Sequence, residues 1–479
     1  MILVLAACRR EAAPDLPPTA NRATFEEMTA DLAAPRHPSD GGGTVRRVDG
    51  PESVEVGAPI ALGVELEVGP LGIAEGGAIT LLPSPFWGWT PPQAEVEGGP
   101  GYTSIAGPDG VILEPVAVGG MLIATVRGRA LVAGERVRFG YGEGGTVRAD
   151  RFAERAPAVW VTVDGDGDGV RAVAGEPVEL RVVAGPPVGV WATLPSAVAP
   201  GTPVTLRLAA VDAVGNAFGG PSGEVALVGT EGLAVPERAT LDAEGLAAVT
   251  VTPTVPGLHR VVVTAPDGTA STSNPMVVRE GVVPILWGDL QIHSALSDGS
   301  GDPAELYRYA REVAGLDVAA VTDHDHWGMR FLDRTPAWQA RIAEATEAAN
   351  VPGSFVAVHG FEWTSWVHGH RHVLGFGGPL PIWSSLDPAT DTPAELAAAA
   401  RGQPVLIVRH HPAGGPVAVD WSFPVDPELE PVVEIASVHG QSESADLPGA
   451  IYDAVPGAFA DVQLAAGAVS YTHLTLPTN

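Results

Sequence analysis

The stretch PILWGDLQIHSALSDGSGDPAELYRYAREVAGLDVAAVTDHDHWG, residues 284–328, reads as strand, helix, strand. Ile285–His293 is an apolar run ending on a histidine, and the run Asp317–Thr322 leads directly into Asp323 and His324. Between them, Asp302-Pro303-Ala304-Glu305 supplies an N-cap, a proline at the first helical position and a capping-box glutamate. That signature predicts a helix over 302–314. The pattern continues downstream, with helices predicted over 336–349 and 392–401 and strands over 354–362, 372–376, 404–408 and 431–435. Thr392-Pro393-Ala394-Glu395 opens the later helix with the same device. Strands alternating with helices of this length mean βα units around a parallel sheet. His293, Asp323, His324, Glu362, His410 and His411 all fall at the C-terminal ends of these runs, the end at which a βα barrel builds its active site.

Residues 43–278 follow a different rule. Short alternating runs such as Ser53–Val56, Ile60–Val68, Gly120–Val126, Val178–Val183, Val204–Ala209, Ala247–Thr252 and His259–Thr264 are separated by Gly, Pro, Asn and Asp. Runs of this kind without a long helical period predict all-β sandwiches. A boundary near Pro187–Trp191 divides them into domains at 43–188 and 189–280, and the barrel is expected over 281–468. The second sandwich resembles bacterial Ig-like domains, with a turn at Asp212–Asn216 connecting paired strands. Asp164-Gly165-Asp166-Gly167-Asp168-Gly169 begins like an EF-hand calcium loop, but its twelfth position is Gly175 rather than Glu, so an acidic turn is expected, with weak calcium binding the alternative. Phe86-Trp87-Gly88-Trp89 is read as sandwich core, with sugar stacking the alternative.

A chain of 479 residues, 45% hydrophobic and 18% charged, has material for several cores and is too long for one ordinary domain. All 27 basic residues are arginine, and the formal charge is −30. That balance argues against nucleic-acid partners, which need a basic stripe. The lone cysteine excludes internal disulfides and a cysteine zinc site. Leu5-Ala6-Ala7-Cys8 has the form of a bacterial lipobox at the end of a short apolar run. Residues 1–42 are therefore expected to be a partial lipoprotein signal and Pro-rich tether. Lipidation at Cys8 would make the protein exported and envelope-anchored, with no other membrane contact.

Ten of the thirteen histidines lie between His293 and His439, less than a third of the chain. Imidazole and carboxylate together are the donor set of Zn, Mn or Fe. Six segments here are GDLQIHSALSDG (288–299), VTDHDHWG (321–328), HGFEWTS (359–365), GHRHVLGF (369–376), RHHPAGG (409–415) and VVEIASVHG (432–440). In this order they resemble the successive motifs of the polymerase and histidinol phosphatase (PHP) domain, over roughly a third of the chain. With the preceding sandwiches the chain resembles secreted bacterial PHP-like proteins. The resemblance implies a distorted (β/α)7 barrel, two or three divalent ions and a phosphorylated small-molecule substrate.

Carried onto this sequence, the resemblance implies metal ligands at His293, Asp298, His324, Glu362, His372 and His411, with Glu362 bridging. Asp323 would orient His324. A water between two close cations is acidified into a hydroxide nucleophile near neutral pH, and His326, His370 or His439 would protonate the leaving oxygen. The expected catalytic residues are thus Asp323 and His326. Arg371 and Arg409 are weaker candidates for binding substrate phosphate. Gln291 replaces the first histidine of the opening pair and is a poor zinc ligand. The closing Gly-Ser-Asp-x-His-like segment of the family does not occur. Residues 469–479, VSYTHLTLPTN, are expected to be a non-native tail, so the barrel would lack its last strand and His473 would not be a ligand. The expected function is a metal-dependent phosphoesterase; the alternative is a cell-surface binding protein with a degenerate, inactive barrel. An amidohydrolase plan is disfavoured because many such sites use a lysine.

Overall fold

The computed structural model describes residues 22–466 and 474–475, apart from 84–87, 156, 328–329 and 416. Cys8, Phe86, Trp87 and His473 lie outside the described residues. Within the segment read as a tether, Arg22–Ala33 forms a helix. Its Ala, Glu and Leu content favours a helix, but no apolar stripe announces one.

The alternating runs form two sandwiches. In the first, the sheet containing Gly43–Asp49, Leu62–Val68, Arg136–Tyr141 and Thr103–Ala106 faces a second sheet built around Ala158–Asp164, Ala78–Leu82, Met121–Arg127 and Ile112–Val118. Their inward residues, among them Leu62, Val64, Ile79, Leu122 and Phe139, bury one shared core that also holds Trp89. In the second, Gly189–Thr193, Val204–Val211 and Leu246–Pro253 face Gly223–Gly229, Arg238–Leu241 and Val261–Thr264 across Leu206, Val225, Val251 and Val261. Burial every second residue on strands such as Met121–Arg127 is the two-residue period of a half-buried strand.

The turn at Asp212–Asn216 does not make the expected hairpin. It leaves Val204–Val211 for Gly223–Gly229, which belongs to the facing sheet. Its polar groups instead tie the two sandwiches together. Asn216 Nδ2 donates to the Arg151 carbonyl at 2.8 Å, and Asp212 accepts from Gly185 N at 3.1 Å.

The third unit is a mixed sheet in the order Gly288–Ile292, Val318–Val321, Val356–Trp363, Arg371–Gly375, Val405–Arg409, Val433–Glu434 and Leu474–Thr475. Six strands run one way, and Arg371–Gly375 runs antiparallel to both neighbours. The uniformly parallel sheet expected from sequence is therefore corrected. Only residues 364–370 separate Trp363 from Arg371, whereas a parallel crossover takes a dozen residues or more. Among the described residues no ladder joins Gly288–Ile292 to the opposite edge. Leu474–Thr475, assigned from sequence to the tail, pairs in parallel with Val433–Glu434. Its backbone pairs with groups that an edge at Val433–Glu434 would leave open.

Helices Pro303–Glu312, Pro336–Ala349 and Pro393–Ala400 cover one face of this sheet through Tyr307, Ile342, Leu396, Phe361, Trp363 and Ile407. The first has Asp302 as its N-cap, and the third closes a complete capping box between Thr392 and Glu395. Ala320, Val358, Leu374 and Val408 fill the other face. The Pro303–Glu312 helix also docks on the second sandwich. Tyr309 donates to the Gly215 carbonyl at 2.8 Å, Arg308 pairs with Glu244, and Val313 packs with Ala209, Val211 and Leu246.

Tyr307 fastens that helix to the sheet. Its hydroxyl accepts from Val321 N at 3.0 Å and lies 3.2 Å from the Val358 carbonyl and 2.9 Å from Thr346 Oγ1. Tyr307→Phe leaves buried backbone groups without that partner. It is expected to cost about 1–3 kcal/mol, read as a lower midpoint with unchanged slope in urea unfolding.

Candidate metal centre

The reversed strand decides the geometry. Its N-terminal end lies beside the C-terminal ends of its neighbours, so His370 and His372 arrive where Glu362 and His410 end their own strands. Glu362 is the direct cross-strand partner of His372, and opposed residues in such a ladder share a face.

Glu362 is 1% exposed and lies at the centre. One of its oxygens is 3.2 Å from His293 Nε2 and 3.1 Å from His372 Nε2; the other is 2.7 Å from His370 Nδ1. His324 and His410 approach the same carboxylate at 3.5 and 3.9 Å. Asp298 adds an oxygen 3.3 Å from His324 Nε2 and 3.5 Å from His293 Nδ1. His411 Nε2 is 3.3 Å from His370 Nδ1. Three overlapping groups place donor atoms within reach of one cation: His293, His324 and Glu362; Glu362, His410 and His411; and His372, His410 and Glu434.

Hydrogen bonds around the edge set several of these rings. His411 Nδ1 is 2.7 Å from the Gly414 carbonyl, which only accepts, so Nδ1 carries the proton and Nε2 turns a lone pair inward. Thr364 Oγ1 donates to the Glu362 carbonyl at 3.0 Å and so accepts from His324 Nδ1 at 2.7 Å. His324 Nε2 is thereby left as a lone pair facing the Asp298 carboxylate. Two acceptors at that distance repel unless a cation or a proton lies between them. His410 Nδ1 meets Glu434 at 2.8 Å, the carboxylate–histidine pairing that orients metal ligands. The donor chemistry thus fits divalent cations.

The charges agree. Burial favours a neutral Glu362, but His324, His410 and the other rings outweigh it and hold the carboxyl well below its usual range. Burial likewise opposes protonation of His293, yet Asp298 and Glu362 win and raise it to about 9. His410 and His411 are depressed by burial and then by neighbouring histidines. Burial, reinforced by Glu362 and Asp289, lifts Glu434 to about 8. A buried carboxyl pushed that far is what a cation would relieve.

Of the residues expected from sequence, His293, Asp298, His324, Glu362, His372 and His411 are brought together. Gln291 reaches the same place, its Nε2 2.8 Å from His410 Nε2. Four others serve elsewhere. Asp323 is not the partner of His324: it accepts from Ser294 N at 2.7 Å and from the Ser294 and Ser297 hydroxyls, fixing the loop that follows His293. His326 is 1% exposed, with Nδ1 3.2 Å from Asp325 and Nε2 accepting from Trp366 Nε1 at 3.1 Å. It has no free nitrogen for a leaving group. Arg371 and Arg409 point to the opposite face of the sheet. They share Glu430 there, over Trp363 and Trp421, because strand alternation turns them away from His372 and His410.

Sequence reasoning left His410, Glu434 and His370 out of the ligand set. The available signal was a polar residue at the end of an apolar run, as in Val432-Val433-Glu434. The acidic turn holds its own atoms: Asp164 accepts from Gly167 N and Gly169 N, while Asp40 accepts from Gly165 N.

No family model matches the chain, and no curated protein matches it. Among solved structures, the D0-D1 domain of intimin is 15% identical, with 48% of this chain and 97% of that one covered at a TM-score of 0.16. The D00-D0 domain of intimin is 13% identical over 50% and 100%, at 0.21. Invasin, described as a bacterial integrin-binding protein, is 14% identical over 53% and 45%, at 0.21.

Two outcomes are expected. Because His293 holds a proton up to about pH 9, a cation binding there expels it. Zinc affinity should therefore rise about tenfold per pH unit for one proton displaced between pH 7 and 9, measured by calorimetry in buffers of different ionisation enthalpy. Glu430→Ala strands two buried guanidinium groups and should cost about 3–5 kcal/mol, measured by denaturant unfolding.

Proposed function

We propose that the chain carries a divalent-metal-dependent phosphoester hydrolase on a PHP-like sheet. The observation that carries this reading is one buried carboxylate, Glu362, met by His293, His370 and His372 within 3.2 Å. His324, His410, His411, Asp298 and Glu434 complete the donor set. Cations held there would acidify water and offset charge on a phosphoryl oxygen.

The chain's own residues do the positioning. Asp323 anchors the His293 loop, Thr364 sets the His324 ring, and the Gly414 carbonyl sets His411. His439 takes the proton-handling role expected of His326. It is half-buried, its ring 5.4 Å from that of His411, and both His326 nitrogens are engaged elsewhere. The motif order supports the PHP-like assignment, and the Leu5–Cys8 segment supports an exported, lipid-anchored protein.

A second reading, a surface binding protein with an inactive barrel, is favoured by Gln291, whose amide caps His410 where the motif expects a histidine. The discriminating experiment measures bound metal and hydrolysis of 4-nitrophenyl phosphate. Wild type should bind at least one equivalent and turn over; Glu362→Ala should lose both metal and activity. Gln291→His should raise metal occupancy and rate. Equal metal content in wild type and Glu362→Ala would sink the hydrolase. Full metal with no turnover, before and after Gln291→His, would establish the binding protein.

A further inference from the structure

The polar cluster behind the sheet is not satisfied by its own members. Arg371 and Arg409 are each 1% exposed and oppose one another in the ladder between their strands. Both donate to Glu430 Oε1 through Nε, at 3.2 and 3.3 Å, and Arg409 Nη2 takes the second oxygen at 3.0 Å. Arg371 Nη1 donates to the carbonyls of His368 and Gly369, and Arg409 Nη2 also reaches that of Phe423. Arg371 Nη2 and Arg409 Nη1 are left over, both buried and without a hydrogen-bond partner among the described residues. A guanidinium is a rigid plane, and each orphan shares its plane with an Nε that touches the same carboxylate oxygen. The two orphans are therefore held in one neighbourhood.

Charge points the same way. Two guanidinium cations share one carboxylate, which leaves an excess positive charge among the groups in direct contact. Burial, with Arg409 beside it, lowers Arg371 to about 10 against the pull of Glu430. Asp420 also acts on Arg371, but its oxygens are engaged by His368 at 3.0 Å and by the Ser422 hydroxyl at 2.6 Å. A buried uncompensated charge and a buried unpaired donor are each costly, and one small anion would relieve both. Trp363 and Trp421 lie over the two guanidinium faces, at 5.5 and 4.7 Å, so an anion reaches these groups at their edges. Because both side chains are sealed from solvent, a monatomic ion suits the place better than a carboxylate or phosphate carrying its own substituent.

We propose that Arg371 Nη2 and Arg409 Nη1 hold one chloride ion behind the sheet that carries the metal cluster. The halide accepts from both N–H groups and balances the charge of the two guanidinium groups and Glu430. His372 and His410 directly follow the two arginines in the chain. The ion therefore braces the strand positions from which these two rings project to the front.

The test unfolds the full chain in urea at constant ionic strength, with sodium chloride exchanged stepwise for sodium gluconate and tryptophan fluorescence as the signal. An ion bound only by the folded state should lower the unfolding constant about tenfold for each tenfold rise in chloride once the site is filled. Arg371→Met leaves one guanidinium for Glu430 and should abolish the dependence, with Arg409→Met in reserve should the first not fold. Wild-type crystals grown in sodium bromide should show an anomalous peak within hydrogen-bond reach of Arg371 Nη2 and Arg409 Nη1. An unfolding constant indifferent to chloride overturns the proposal, as does a dependence that persists in the variant. A water molecule in place of bromide at the two nitrogens assigns these donors to hydration and overturns it as well.

Discussion

The C-terminal unit depends on a single buried carboxylate. Taking Glu362 out of water carries a large desolvation cost, and only the surrounding imidazoles offset it. His370, His410 and His411 have their charge suppressed by burial and by other rings while His293 keeps its own, so the cluster cannot be neutralised by protonating all of them. Asp298 adds further negative charge to the same small volume, and Glu434 adds a carboxyl that burial keeps protonated up to about pH 8. Divalent cations would relieve this charge through the donor groups gathered there. The polar framework around the site, Asp323 with Ser294 and Ser297, Thr364 with His324, and Gly414 with His411, holds the rings in place for them.

The sheet delivers these groups through one reversal of direction. Had Arg371–Gly375 run parallel to its neighbours, its N-terminal residues would lie at the opposite end, and His370 and His372 would be far from Glu362. The hairpin brings them in, and strand alternation assigns the intervening residues to the other side. Arg371 opposes Arg409 in the ladder, and Glu430 joins them behind the site. The guanidinium charges stay behind the sheet and the histidine–carboxylate cluster in front of it.

Much of this was legible. The capping signals at Asp302 and Thr392 mark two helices, and the alternation from Gly43 to Val278 marks strands of the sandwich type. Histidines and carboxylates at the ends of apolar runs mark the residues that gather. The reversed strand was legible too, because the link from Trp363 to Arg371 is too short for a crossover, but alternation with helices suggested a parallel sheet. Asp323 and His326 are acidic and imidazole groups within a ligand-like motif, and nothing in a linear pattern distinguishes a ligand from the residue that braces it. That distinction rests on which hydrogen-bond partners the fold presents.

By itself the sequence determined local matters: period-two burial, helix starts, the clustering of imidazole and carboxylate, and a charge balance unsuited to nucleic acid. These depend on neighbours a few residues apart. Tertiary structure alone decided that Glu362 is central, that His410 and Glu434 join it, that Arg371 and Arg409 do not, and that the Asp212–Asn216 turn braces a domain junction. Those outcomes depend on strand direction and face, which are set by contacts between residues tens of positions apart.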